Sequence, residues 1–554
     1  MEQKTMKEFN STLPKYTDTV IIGAGLGGIG MGIGLQKAGL CDYVIIEKST
    51  EVGGTWRDNS YPGCACDVQS HLYSYSFTDK SDWTKRYAPW NEIQDYILGT
   101  VSEYNVRPNV RFGLEVNSAV FDETSATWTV GTTDGQTIQC RYFVLATGPL
   151  HVPQIPKIPG LESFKGKVMH SAQWDHDYDL RGKKVASIGT GGSAIQYVPE
   201  IAPDVEHLDV YQRTAAWVIP RDERPYSAAS KWVFKHVPSL RRLYRSRLYF
   251  TNEMRVWPIF NETLAKGVEF LAKRFIKMQV KDPEVRAKLT PDYTIGCKRI
   301  LISNKWYKTF NRKNVGLITD GIQEIRENSI VDKNGVERAC DTIILGTGFI
   351  VDPRGYMDKF NLKGLPGRDI LADWKDGAEA YLGNTVTGYP NMFQLVGPNS
   401  GLGHNSIIFM IEAQIHYILE SMKEVKSRGV DYLNVKKSAQ DDFNEEIQER
   451  IKGSVWTSGC SSWYQQDDGK NFVLWPYSTL AFWRRNKNVI TSHYDWVSIE
   501  AQPASSNNAS ASKKDISDAT SKANSKASSV KIESAKTGVA KKVSAKAENP
   551  ETIA

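Results

Sequence analysis

A glycine turn between a β-branched run and a helical stretch occurs twice in this chain, and that duplication leaves few folds open. Thr19-Val-Ile-Ile22 stops at Gly23, and Gly23-Ala-Gly25-Leu-Gly-Gly28 then fits the spacing GxGxxG. A helical mixture follows from Leu26 to Ala38 and ends at Gly39, a natural residue just past a helix end. Tyr43-Val-Ile-Ile46 is another apolar run, closed by Glu47, so residues 19–47 predict strand, helix, strand. The second copy runs from the strand Lys184–Ile188 through the turn Gly189-Thr-Gly-Gly-Ser-Ala194. A helix from Ile195 to Ile201 and a strand from His207 to Gln212 complete it. Two further repeats, Phe143-Val-Leu-Ala-Thr-Gly148 and Ile343-Ile-Leu-Gly-Thr-Gly348, each end a buried strand in a tight turn. Because the second unit lies between them, it reads as inserted into the first, whose sheet resumes after Gly348.

Glycines at Gly23, Gly25 and Gly28 let backbone approach a pyrophosphate at the N-terminus of a helix. Glu47 stands 24 residues after Gly23, where a carboxylate accepts from ribose hydroxyls. In the second copy, with Thr190, Gly191, Gly192, Ser193 and Ala194 in the turn, the residue 24 after Gly189 is Arg213. A guanidinium there grips a 2′-phosphate that a carboxylate would repel, with Thr214 adding a hydroxyl, so this half is expected to prefer NADPH. One NADPH site beside a second dinucleotide site suggests a flavoenzyme in which hydride passes from nicotinamide to FAD. The expected fold class is α/β with two Rossmann-like dinucleotide-binding domains, the second inserted in the first.

With 554 residues the chain exceeds what one hydrophobic core organises. Strand signals disappear between Arg221 and Tyr293, while Leu264, Val268, Leu271, Phe275 and Met278 recur at helical steps, so we read a helical insertion at about 222–293. Its arginines, including Arg241, Arg242, Arg245 and Arg247, are read as a solvated face rather than a membrane-surface helix. From Ser505 onward the chain is Ser, Ala, Lys and Asn, which reads as a disordered tail. Of the net charge of +6, the tail from Gln502 carries nine Lys against five acids, leaving the remainder nearly neutral and nucleic acid without a basic face. The seven scattered cysteines fit reduced thiols in a cytoplasmic setting. Met1 to Pro14 has no apolar signal-peptide core, and no stretch reaches the length of a membrane span, so a soluble protein is expected. No metal motif is present, and no metal site is expected.

Phe164-Lys-Gly166-Lys-Val-Met-His170-Ser-Ala-Gln-Trp174-Asp175 fits the fingerprint FxGxxxHxxxW followed by Pro or Asp, and through it residues 19–485 resemble the class B flavoprotein monooxygenases. Trp174-Asp175 resembles the type I Baeyer–Villiger branch in particular. The resemblance implies that His170 serves a linker between the nucleotide domains rather than bond chemistry. It also implies that the chain around Gly54, Thr55, Trp56, Asp67 and Tyr73 runs along the flavin, and that Asp67 orients an active-site arginine, here Arg299 in Thr294-Ile-Gly-Cys-Lys-Arg299. From the residues alone, either could equally be an ordinary salt-bridge partner. Many members carry Arg where Ala65 or Cys66 stands in Tyr61-Pro-Gly-Cys-Ala-Cys-Asp67, so this loop departs from the family. A redox pair at Cys64 and Cys66 is rejected because the spacing is CxC. Gly397-Pro-Asn-Ser-Gly-Leu-Gly-His404 leads into a helix from Asn405 to Leu419 whose N-terminus would suit the pyrimidine end of a reduced flavin, with His404 as loop scaffolding.

The expected domains are therefore 1–150 and 349–502 for FAD, 151–348 for NADPH, and 503–554 as tail. The expected activity is FAD- and NADPH-dependent conversion of ketones to esters or lactones through a flavin C4a-peroxide that Arg299 keeps anionic. A heteroatom oxygenase acting on amines or sulfides is the alternative enzyme, and a flavin-bearing redox sensor with a recruiting tail is the alternative outside catalysis. The expected partners are a small-molecule ketone and O2.

Overall fold

In the computed structural model, residues 11–499 are described apart from Asp79, Ser461 and Asp467, and two largely parallel sheets organise them. Met1–Asn10, where most of the signal-peptide reading falls, and the tail at 503–554 lie outside the described residues.

The first sheet begins with β1 (Tyr16–Ile22), helix α1 (Leu26–Lys37) and β2 (Tyr43–Glu47). After helix α2 (Trp90–Glu103) come β3 (Val110–Phe112), β4 (Val116–Asp122), β5 (Thr127–Thr132) and β6 (Thr137–Leu145). Strand β1 lies between β2 and β6 and is parallel to both, with Ile21 opposite Ile45 on one side and Val144 on the other. It is covered on both faces, which is why it reads as a continuous apolar run rather than an alternation.

The second sheet comprises β7 (Lys167–His170), β8 (Lys184–Ile188), β9 (His207–Tyr211), β10 (Val315–Ile318) and β11 (Thr342–Leu345) in the order β10-β9-β8-β11-β7. All its pairings are parallel, and helix α3 (Ala194–Ile201) connects β8 to β9. The chain then returns to the first sheet, placing β12 (Asn361–Lys363) beside β4 and β13 (Met392–Gln394) beside β6. One nucleotide-binding fold is thus inserted in the other.

Between β9 and β10 the insertion is helical, with α4 (Ala228–His236), α5 (Pro238–Glu253), α6 (Glu262–Gln279) and α7 (Pro283–Leu289). The helical steps from Leu264 to Met278 lie within α6, but they do not mark its buried side. Leu264, Leu271 and Met278 are exposed, while Ala265, Ala272, Phe275 and Ile276 are buried. Hydrophobic period locates a helix but gives little weight to alanine, and two alanines sit at this contact. Helix α8 (Ile407–Arg428) runs a further two turns beyond the expected Leu419, buries Ile411, Ile415 and Ile418, and packs on α1.

Candidate active site

The two glycine turns are built alike. Gly23 has φ +99° and Gly189 has φ +107°; a Cβ on the first would stand 2.8 Å from the carbonyl oxygen of Ala146, and on the second 2.4 Å from that of Gly346. Each Thr-Gly turn after a buried strand therefore presses on its own glycine turn, and only glycine fits either place. Neither α1 nor α3 has a side-chain cap or an acid in its first turn, so their N–H groups face outward toward an anion. Next to these turns the Cβ positions of Gly191 and Gly192 open onto free space. This cradle fits a dinucleotide in both halves.

Glu47 closes β2 at 5% exposure. Its carboxylate accepts from the backbone N–H of Ala24 in the glycine turn (2.8 Å) and of Ser49 (2.9 Å), and from Arg57 (3.2 Å). The residue stands beside the Gly23–Gly28 turn, as the spacing implied, and also stiffens it. Gly54, Thr55 and Trp56 open the short helix Thr55–Asp58, and the Trp56 indole N–H donates to the Tyr73 hydroxyl at 3.1 Å. Burial pushes the Tyr73 phenol well up, so it stays neutral.

In the second half Arg213 is exposed beyond β9, and the hydroxyl of Thr190 donates to the carbonyl of Thr214 at 3.2 Å. A residue not singled out from the sequence joins them. Burial and the charge of Arg213 together hold the Lys298 ammonium below the usual lysine range. The Arg213 charge thus reaches Lys298, and a pair of cations is the type of group that suits an anion. No local pattern marks it, since Lys298 and Arg213 stand 85 residues apart in sequence.

The Tyr61–Asp67 loop joins the halves. Gln196 on α3 accepts from the Tyr61 hydroxyl (3.0 Å) and the Ala65 N–H (3.3 Å), and donates to the Ala65 carbonyl (2.9 Å). Cys64 and Cys66 are separate buried thiols, and burial pushes Cys64 up to about 12, so neither is a reactive thiolate.

Beyond that loop Arg299 Nη2 donates to Asp67 Oδ2 at 2.5 Å, across 232 residues of sequence. Both side chains are about one-third exposed, 35% and 30%, so the pair opens onto solvent-accessible space. The Asp67 carboxylate raises the guanidinium further above its ordinary range, with a smaller contribution from Tyr464, so the arginine is fixed as a cation. Tyr464 is buried, and burial pushes its phenol up to about 12.

The reading of all seven cysteines as reduced thiols is corrected at this point. Cys297, two residues before Arg299, forms a disulfide with Cys460, with Cα atoms 6.3 Å apart and 163 residues between them in sequence. Spacing cannot reveal a pairing made by two distant loops. The bond ties the Arg299 segment to the segment carrying Tyr464.

The fingerprint residues are engaged in local contacts. His170 is buried with Nδ1 accepting from the Ala172 N–H at 3.1 Å, Lys167 pairs with Asp175, and the Trp174 ring lies 5.5 Å from that of Tyr197 on α3. His404 is buried 3.7 Å from Glu253. Among the described residues no cluster of side chains is arranged to hold a metal ion, and no helix is long and apolar enough to cross a membrane.

The sequence profile of a pyridine nucleotide-disulphide oxidoreductase family matches residues 20–256. A Baeyer-Villiger monooxygenase of Pseudomonas aeruginosa is 46% identical over 84% of this chain and 89% of its own length. The chain belongs to the Baeyer–Villiger monooxygenase family. A second such enzyme, from Streptomyces coelicolor, is 42% identical over 87% of this chain and 92% of its own. The solved structure of oxidized steroid monooxygenase bound to NADP superposes with a TM-score of 0.77 at 29% identity, covering 87% of this chain and 99% of that one. The first profile's name refers to disulphide chemistry, which the separate Cys64 and Cys66 thiols do not supply; what the chain shares with it is the nucleotide fold.

Proposed function

We propose that this protein is an FAD- and NADPH-dependent monooxygenase that inserts one atom of O2 beside a ketone carbonyl, giving an ester or a lactone. When bound, the flavin takes electrons from NADPH and supplies the oxygen nucleophile from O2. Gly23, Gly25, Gly28 and Glu47 would hold its dinucleotide end, and Gly54, Thr55, Trp56, Asp67 and Tyr73 would line its path. Thr190, Gly191, Gly192, Ser193 and Ala194 would hold the pyrophosphate of NADPH, with Arg213, Thr214 and Lys298 at the 2′-phosphate. The relatives named above support the cofactor pair and the reaction.

The observation that carries the chemistry is the Asp67–Arg299 pair. Attack on a carbonyl places negative charge on the substrate oxygen. One edge nitrogen of Arg299 is committed to Asp67, which aims the group and leaves its other N–H donors for that oxygen. Aiming matters because a fixed donor needs no reorganisation as charge develops. A ketone that reaches Arg299 is therefore polarised, while neutral Tyr73 and the two neutral thiols add no competing anion. The cytoplasmic setting rests on the five free thiols beside the single disulfide among the described residues.

Arg299→Ala is the decisive variant. Anaerobic flavin bleaching by NADPH is expected to persist within a few-fold, while ester formed from a ketone falls by about a hundredfold or more, the usual effect of losing such a donor. Ester formation at the parental rate removes Arg299 from the reaction.

A further inference from the structure

The helical insertion leaves its apolar side chains outside. Ten of the eighteen large hydrophobic residues exposed among the described residues fall within Trp232–Met278. They are patterned. On α5 and the turn after it, Leu240, Leu243, Phe250 and Met254 recur at helical steps on one side, with exposed Arg247 in the same stripe. The opposite side of α5 is fully engaged: Arg245 donates to the carbonyls of His71 and Ser74, Asn252 pairs with Gln69, and Leu248 is buried. On α6, Leu264, Leu271 and Met278 repeat at seven-residue intervals and are exposed, as is Phe270, while Ala265, Ala272, Phe275 and Ile276 are buried.

Exposed positive charge accompanies this surface. Arg242, Arg247, Arg255, Arg274 and Lys277 are exposed, and Trp232 and Trp257 are 60% and 65% exposed. The acids of these two helices are already engaged: Glu262 pairs with Lys266, Glu269 accepts from the Ile295 N–H, and Glu253 accepts from Thr479 and Asn405.

We propose, in place of the solvated-face reading of this insertion, that the exposed apolar stripes of α5 and α6 together dock on an anionic lipid bilayer, lying in the interface without crossing it. Apolar side chains that gain by leaving water, guanidinium groups that pair with phosphate, and tryptophans that favour the headgroup level are each accommodated by that one occupant. A second copy of the chain fits worse, since a twofold contact through this face would set each copy's cations against the other's. Nucleic acid would leave the leucines and phenylalanines without a partner. The surface lies on the side of α5 away from the 67–74 segment, so docking leaves the Asp67–Arg299 pair untouched.

The test is cosedimentation of the full-length holoenzyme with vesicles of phosphatidylcholine alone and of phosphatidylcholine mixed with phosphatidylglycerol. Binding to the mixed vesicles, weakened by salt, is expected. The combined Leu243→Ser, Phe250→Ser, Phe270→Ser and Leu271→Ser variant is expected to lose roughly tenfold or more of that binding at unchanged NADPH oxidation. Arg247→Gln with Arg274→Gln should weaken binding to the mixed vesicles only. Absence of binding by the parent overturns the proposal. So does full binding by the serine variant, which would assign it to the Lys-rich tail, or a dimer that the serine variant disperses without any vesicle binding by the parent.

Discussion

Lys298 and Arg213 carry a consequence that a single cation would not. A free lysine keeps its charge until well above neutral pH, but this one is held low by burial and by its neighbour's charge. As pH rises through that depressed value, Lys298 loses its proton first, and a 2′-phosphate bound as proposed would lose one of its two partners. The KM for NADPH is therefore expected to climb at a pH below the ordinary lysine range, while the KM for NADH stays flat. Lys298→Ala should remove the climb. Arg213→Ala should cost about 1.5–3 kcal/mol of NADPH binding, roughly ten- to a hundredfold, and little for NADH. Steady-state kinetics with both cofactors across pH decide it, and equal losses for the two would dismiss the phosphate site. The place of Arg213 just past β9 was legible because its interval from Gly189 matches that of Glu47 from Gly23. Lys298 was not, because its place beside Arg213 is made by tertiary structure across 85 residues.

Elements were legible where local chemistry decides them. Both strand–turn–helix units appear within three residues of the spacing argument, because glycine turns and buried parallel strands leave their mark on consecutive residues. The packed side of α6 and the Cys297–Cys460 bond were not legible, since each depends on what a distant segment presents. Two predictions belong at this scale. Gly189→Ala puts a methyl group 2.4 Å from the Gly346 carbonyl at a φ that L-residues rarely adopt, so the second glycine turn should distort. NADPH affinity is expected to fall at least about tenfold while the purified protein keeps its flavin; parallel loss of both would mean the two halves do not fold separately enough for this contrast. Cys297→Ser releases the tether between the Arg299 and Tyr464 segments. A loss of about 2–4 kcal/mol is expected, read as a lower thermal midpoint, and an unchanged midpoint in matched redox buffers would show that the bond contributes nothing to stability.

Across the whole molecule the two nucleotide folds have separate sheets, one inserted in the sequence of the other, yet the proposed chemistry needs residues from both. Asp67 follows the first unit, Arg299 lies within the second, and their contact spans 232 residues. Such a pair is exact only if the supports beneath it hold, and three hydrogen bonds from Gln196 on α3 fix the Tyr61–Ala65 stretch leading directly to Asp67. Gln196→Leu keeps the side-chain volume and removes all three bonds while touching neither the 2′-phosphate site nor the first glycine turn. Both cofactors should therefore still bind, and NADPH should still be consumed. What should fall is coupling: the Asp67 segment loosens, Arg299 is aimed less well, and a larger share of consumed NADPH ends as hydrogen peroxide instead of ester. Measuring ester and peroxide formed per NADPH separates this outcome from weaker cofactor binding, which would slow consumption without changing the ratio. A several-fold drop in the ester share, recovered in part by Gln196→Asn if the shorter amide reaches Ala65, assigns the α3 contact to positioning; an unchanged ratio leaves the Asp67–Arg299 pair to orient itself.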